Sequence, residues 1–134
     1  MRAYIDTNVL IDFACRRVPF YDDAKRLFAS GFLGRVQLLT SALSFVNAMY
    51  IARKYGYEEV TECLLKVSDF VEIVDLKGSV VVNALSAGWN DYEDATQCMS
   101  ATHVMADCIV TRNIKDFKNA PLPVYTVDEV LVLL

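Results

Sequence analysis

Apolar residues along the chain follow two alternating patterns. Short runs of β-branched and aliphatic residues, each about five long and bounded by polar or turn residues, read as strands. They are Arg2 to Ile5, Val36 to Leu39, Phe70 to Val74 and Cys108 to Thr111, with Val124-Tyr125 as a fifth. Longer segments between them repeat their apolar positions at helical spacing. Ala42, Phe45, Val46, Met49, Tyr50 and Arg53 form one such series, Val60, Leu64 and Val67 a second, and Ala95, Cys98, Met99, Thr102 and Met105 a third. Strands alternating with helices predict parallel units joined by right-handed crossovers, hence a three-layer α/β/α sandwich around a parallel sheet of four or five strands. No linker, repeat or low-complexity stretch interrupts residues 1–134, which predicts one domain. Two helix starts are legible: Asp91 as an N-cap with Asp94 three positions on, and the capping-box pattern Thr126-Val127-Asp128-Glu129. Gly31, Gly34, Gly56 and Gly88 fall where helical patterns end, which predicts left-handed caps and turns.

Composition narrows the class. A hydrophobic content of 54% over 134 residues is ample for a sizeable core. No apolar run approaches the roughly 20 residues that span a bilayer, and Asp6 interrupts the first apolar stretch, unlike a signal peptide. A cytoplasmic protein with no membrane association is therefore expected. Cys15, Cys63, Cys98 and Cys108 lack any C-x-x-C spacing, so reduced thiols are a better reading than a zinc or redox site. The net charge of -4 argues against a broad basic surface of the kind that coats nucleic acid, but leaves room for a nuclease that collects carboxylates around a metal. Basic clusters at Arg16-Arg17, Lys25-Arg26, Arg53-Lys54 and Arg112 to Lys118 are solvated faces or phosphate contacts.

Topology sorts the polar residues. In an open parallel sheet, positions just past the carboxyl ends of strands share an edge with the N-termini of the helices that return to the next strand. Asp6 ends the first strand, Asn47 lies early in the helix after the second, and Asp91 and Asp94 open the helix that leads to the fourth. Thr111, Arg112, Asn113 and Asp116 follow the fourth strand. Asp107 precedes that strand and belongs to the opposite edge. Clustered carboxylates raise one another's pKa and call for a cation. Magnesium or manganese suits an all-oxygen set, and such an ion supports in-line phosphoryl transfer without a histidine. The single His103 lies well past Asp94 and reads as a surface or packing residue.

Three stretches then carry a resemblance: Tyr4-Ile5-Asp6-Thr7-Asn8-Val9-Leu10-Ile11-Asp12, Asp91-Tyr92-Glu93-Asp94-Ala95, and Cys108-Ile109-Val110-Thr111-Arg112-Asn113 through Asp116-Phe117. In this order and spacing they resemble the PIN domain, over essentially the whole chain. The resemblance implies a metal-dependent ribonuclease, often the VapC-like toxin of a toxin-antitoxin pair with a small antitoxin partner, and usually a homodimer. It makes Asp6 the first metal-binding aspartate and Asp94 the third acid, with Asn8 ordering the site beside Asp6. Asn113 takes the place of the fourth acid, with Asp116 as a nearby substitute. The departure is Asn47, where the family usually has glutamate. With Asn47 and Asn113 neutral, Asp6 and Asp94 are the firm carboxylates, supported by Asp91 or Asp116, and one metal ion fits better than two.

Metal ligands are thus expected at Asp6, Asp94, Asp91 and Asn47, catalytic roles at Asp6, Asp94, Asn113 and Asp116, and substrate contacts at Asn8, Thr111, Arg112 and Lys115. For Asp91 the N-cap reading is the stronger of its two. Tyr50, Tyr55 and Tyr57 are able to stack on bases, but helical spacing favours core or dimer packing for Tyr50. The alternative to a nuclease is a PIN-like module without catalysis that binds RNA or protein. A phosphatase-like or flavodoxin-like protein is disfavoured by the lack of a glycine-rich phosphate loop.

Overall fold

The computed structural model describes all 134 residues. Five strands, β1 (Arg2–Ile5), β2 (Gln37–Ser41), β3 (Val71–Val74), β4 (Cys108–Val110) and β5 (Val124–Tyr125), form one sheet in the order β3-β2-β1-β4-β5. Every neighbouring pair is parallel. The central strand β1 buries Ala3, Tyr4 and Ile5 completely, as a strand covered on both faces must. Because successive side chains point to opposite faces, Ala3 and Ile5 enter one core and Tyr4 the other.

The larger core joins Ala3, Ile5, Leu38 and Val110 to Val9, Leu10, Leu27, Phe28, Ala48, Val60, Leu64 and Val130. These come from helices α1 (Thr7–Ala14), α2 (Tyr21–Phe32), α3 (Ala42–Ala52), α4 (Tyr57–Val67) and α7 (Val127–Leu133). The smaller core sets Tyr4, Leu39 and Ile109 against Cys98, Ala101 and Phe117. On that face α6 (Tyr92–His103) covers the sheet, α5 (Gly78–Ser86) packs against α6, and a 3-10 turn spans Ile114–Phe117. The result is the predicted three-layer sandwich. Asp107 does lie at the opposite edge, where its carboxylate accepts the Arg2 backbone N–H at 2.7 Å.

Two expectations change. Gly31 is not a cap: it lies inside α2, buried against Leu38, and a Cβ there would come within 2.6 Å of a Leu38 methyl. Gly34, Gly56 and Gly88 do adopt positive φ, with Gly56 at 97° just ahead of α4. Tyr50 does not enter the core; its side chain is 67% exposed. His103 ends α6 on the exposed surface.

Candidate metal centre

The chain passes from β1 into α1 with no intervening loop, and Asp6 makes the join. Its backbone N–H donates to Val110 at 2.9 Å, continuing the sheet, while its side chain caps α1 by accepting the Thr7 N–H at 2.8 Å. The other carboxylate oxygen accepts the Thr111 hydroxyl at 2.9 Å, and that hydroxyl in turn accepts the Asn113 N–H at 3.0 Å. Asp6 is thereby fixed on both oxygens and is 3% exposed.

Below it lies a second layer of hydrogen bonds. Gln97, fully buried on α6, donates to Thr7 Oγ1 at 3.0 Å and to Ser44 Oγ at 3.1 Å, and accepts the Tyr4 hydroxyl at 2.6 Å. Thr7 and Ser44 also share a bond of 2.8 Å. One amide thus ties β1, α1, α3 and α6 together under the site. Such a network holds a geometry only when every member is satisfied.

Above Asp6 opens a cleft of about 340 Å³ lined by Asp6, Thr7, Asn8, Ile11, Asn47, Tyr50, Ile51, Asp91, Glu93, Asp94, Asn113 and Asp116. Asp91 caps α6 through the Asp94 N–H at 3.1 Å, which leaves Asp94 in the first turn of that helix. Five carboxylates face the cleft and no lysine, arginine or histidine does. Burial pushes the Asp6 carboxyl up to about 6 against the opposing bonds from Thr111 and Thr7, with Glu93 and Asp91 adding repulsion. Asp94 is pushed up to about 7 by partial burial and by Asp6, Asp91, Asp116 and Glu93. Near neutral pH the cleft must hold protons or a cation.

The donors suit a hard divalent cation, since carboxylate and amide oxygens are the ligands such ions take. No three of the carboxylates converge closely enough, as the side chains stand, to enclose an ion by themselves. Water would therefore supply part of any coordination shell.

Of the residues singled out from the sequence, the cleft gathers Asp6, Asn8, Asn47, Asp91, Asp94, Asn113 and Asp116. Thr111 stands behind it as a fully buried support of Asp6. Arg112 is turned away: its guanidinium pairs with Asp12 at 2.7 Å and stacks 3.9 Å from the Phe20 ring centroid. Arg17 meets the same Asp12 at 2.8 Å, so the buried carboxylate takes two cations and Arg112 is a structural residue here. Lys115 lies outside the acidic cleft, on a neighbouring one lined also by Trp89 and Lys118. Sequence reasoning gave no role to Glu93 or Gln97, and it favoured packing over base stacking for Tyr50, which the structure places on the cleft. Asn47 and Tyr50 are three apart on α3, a spacing that places both on one helix face.

The comparisons decide the family. A PIN domain family model matches residues 2–115. The chain belongs to the PIN domain family. None of the curated proteins matches it. Among solved structures, this PIN domain is similar to a toxin-antitoxin complex from Klebsiella pneumoniae, at 25% identity and TM-score 0.69 over 93% of this chain and 97% of that one. It shares the fold of VapBC-1 from nontypeable Haemophilus influenzae, with 17% identity, TM-score 0.70 and coverage of 96% and 99%. It also shares the fold of VapC20 from Mycobacterium tuberculosis, a sarcin-ricin loop cleaving toxin, with 15% identity, TM-score 0.66 and coverage of 80% and 86%. No helix of this PIN domain is long and apolar enough to cross a membrane.

Proposed function

We propose that this PIN domain is a metal-dependent endoribonuclease that cleaves RNA phosphodiester bonds, using Mg²⁺ or Mn²⁺, and that it is the toxin of a toxin-antitoxin pair. The observation that carries the reading is the cleft of five carboxylates without a compensating cation, with Asp6 and Asp94 raised to about 6 and 7. Asp6 and Asp94 would hold the ion, with Asn47, Asp91, Asn113 and Asp116 arranged around them. When bound, the ion would activate water and offset charge on the phosphate undergoing displacement. The chain's own contribution is orientation. Thr111 and the Thr7 amide fix both oxygens of Asp6, and Gln97 holds Thr7 in place from below. Asn8 stands beside Asp6 where a substrate oxygen would approach.

RNA as substrate is supported by the fold shared with the sarcin-ricin loop cleaving toxin, and an antitoxin by the Klebsiella toxin-antitoxin complex. A protein partner is also supported by an apolar groove of about 620 Å³ lined by Phe45, Val46, Met49, Tyr57, Leu64, Leu65 and Ile73. Val46 and Leu65 are each 66% exposed there, and β3, whose Ile73 joins the groove, is an edge strand. An exposed patch of this kind supports the reading of an interaction surface, for the antitoxin or for the second subunit of the expected cytoplasmic homodimer.

The second reading is a PIN module that binds RNA or protein without turnover. The neutral Asn47 and Asn113 in the cleft favour it. Calorimetric titration of Mg²⁺ and Mn²⁺ into the wild type and into Asp6→Asn/Asp94→Asn, with RNA cleavage assays on the same samples, separates the two. The nuclease reading expects ion binding and cleavage in the wild type and loss of both in the variant. RNA binding without cleavage at any concentration of either ion would establish the silent module instead.

A further inference from the structure

Beside the acidic cleft lies a second opening of about 440 Å³, between the loop that precedes α6 and the 3-10 turn after β4. Asp91 and Asp116 line both openings and form their common wall. The charge changes abruptly across that wall. Five carboxylates and no basic residue face the first cleft, whereas Lys115 and Lys118 offset the two shared aspartates in the second. A polyanion is repelled from the first opening unless a cation is bound, and is accommodated by the second.

The second opening has a single hydrophobic lining residue, Trp89. Its indole is half-buried and meets the Phe117 ring edge-on, with centroids 6.0 Å apart and planes at 80°. Phe117 is 1% exposed, so the contact anchors the indole from the core side. An anchored aromatic and two lysines lining one opening combine the two elements by which proteins hold single-stranded nucleic acid: a stacking platform and a cationic track for the backbone. The opening also falls within the size range of small-molecule sites.

We propose that this second cleft is the subsite for the nucleotide adjoining the cleaved phosphate, with Trp89 against its base and Lys115 and Lys118 on its backbone phosphates. The assignment rests on the nuclease reading for the position of the cleaved bond, but not for the binding itself. It makes Trp89 the stacking contact for the neighbouring base, whichever base that is.

Trp89 is the chain's single tryptophan, so its fluorescence reports on this cleft alone. The test titrates single-stranded hexaadenylate and hexauridylate RNA into the Asp6→Asn/Asp94→Asn protein, which leaves the RNA intact. Trp89 emission is followed together with the anisotropy of a fluorescein label on the RNA. Saturable quenching that tracks the anisotropy is expected. Trp89→Ala should weaken binding by about fivefold or more, the scale of one lost base stack, with Trp89→Phe retaining most of the affinity. Lys118 is exposed and its removal leaves the core untouched, so Lys118→Ala tests the site even if Trp89→Ala folds poorly. It should flatten the slope of log affinity against log salt by about 0.7, one phosphate contact to a single strand. RNA binding that leaves Trp89 emission and the Lys118→Ala affinity unchanged would overturn the subsite, as would failure of both RNAs to bind. Cleavage by the wild type with a silent Trp89 removes the subsite and keeps the nuclease. Quenching without wild-type cleavage keeps the cleft as an RNA site and removes the nuclease reading.

Discussion

Replacing Asp6 with asparagine should make the metal-free protein more stable at pH 8 and slightly less stable at pH 4. The wild-type carboxyl is held at about 6 against an ordinary 3.8, chiefly because burial penalises its charge. A folded-state value above the unfolded one means the folded protein binds the proton more tightly. The associated stability is fully present below about pH 4 and is lost as pH rises through 6. At 1.36 kcal/mol per pKa unit the loss totals about 3 kcal/mol by pH 8, most of it incurred above pH 4. Asparagine carries no such penalty. It can still accept the Thr7 N–H, but its NH₂ group faces the Thr111 hydroxyl, which loses its acceptor at a cost of about 1 kcal/mol. The balance is a gain of about 2 kcal/mol at pH 8 and a deficit of up to about 1 kcal/mol at pH 4. Urea denaturation in EDTA at these two values brackets the pI of 4.9, and a 2 kcal/mol change moves the midpoint by about 1 M for a domain of this size. Adding Mg²⁺ at pH 8 should raise the wild-type midpoint and leave the variant's nearly still, because an ion stabilises only the state that binds it. A variant no more stable than wild type at pH 8 in EDTA would refute the argument that uncompensated charge in this cleft is what an ion relieves.

Asp12→Ala should cost about 3 kcal/mol by urea denaturation, because it strands Arg17 and Arg112 around an emptied, apolar position. RNA affinity of the folded variant should stay unchanged; a selective loss of RNA binding would return Arg112 to the substrate. Gln97→Leu should destabilise the protein by about 2 kcal/mol, because the buried Tyr4 hydroxyl loses its Gln97 acceptor and Thr7 and Ser44 lose the Gln97 donor and keep the bond to each other, and should weaken Mg²⁺ binding as Thr7 loosens. Normal Mg²⁺ affinity in that variant would show that Thr111 and the Thr7 amide orient Asp6 without the Gln97 brace. Asp91→Ser keeps a good N-cap while deleting a charge, so stability should hold within about 0.5 kcal/mol while Mg²⁺ affinity falls about threefold or more. An unchanged affinity would leave Asp91 as a cap alone.

The strands are legible because each centres on a short group of aliphatic or β-branched residues between polar or turn residues, even in β3, where Glu72 and Ile73 are exposed, and all five lie within two residues of where the sequence puts them. The helices that escape notice do so for separate reasons. Helix α1 buries Thr7, Val9, Leu10, Ile11, Asp12 and Ala14, so no polar stripe sets a period. In α5 the run Val80-Val81-Val82 imitates a strand, and only Val80 and Ala84 are buried. Helix α2 does carry a legible stripe, Ala24, Leu27, Phe28 and Gly31. Reading Gly31 as a terminator hides it, although a glycine there serves close approach to Leu38.

The site is legible to the same depth. The rule that collects residues at the carboxyl edge of the sheet ranks positions along a strand but does not say which face a side chain takes. Thr111 and Arg112 are neighbours past β4, and neighbours in extended chain point apart: Thr111 reaches Asp6, so Arg112 is sent to the other side and Asp12. The helical counterpart of that rule lies within α6. Asp91, Asp94, Gln97 and Ala101 follow one another at intervals of three or four, and so descend a single helix face from the cleft into the core. In that order they are a cap, a carboxylate of the cleft, a buried brace and a fully buried packing residue. Assigning Asp94 to the cleft therefore already places Gln97 directly beneath it. A fully amphipathic helix would put an apolar residue there, and a glutamine at such a position signals that the core it enters is polar where it supports Asp6.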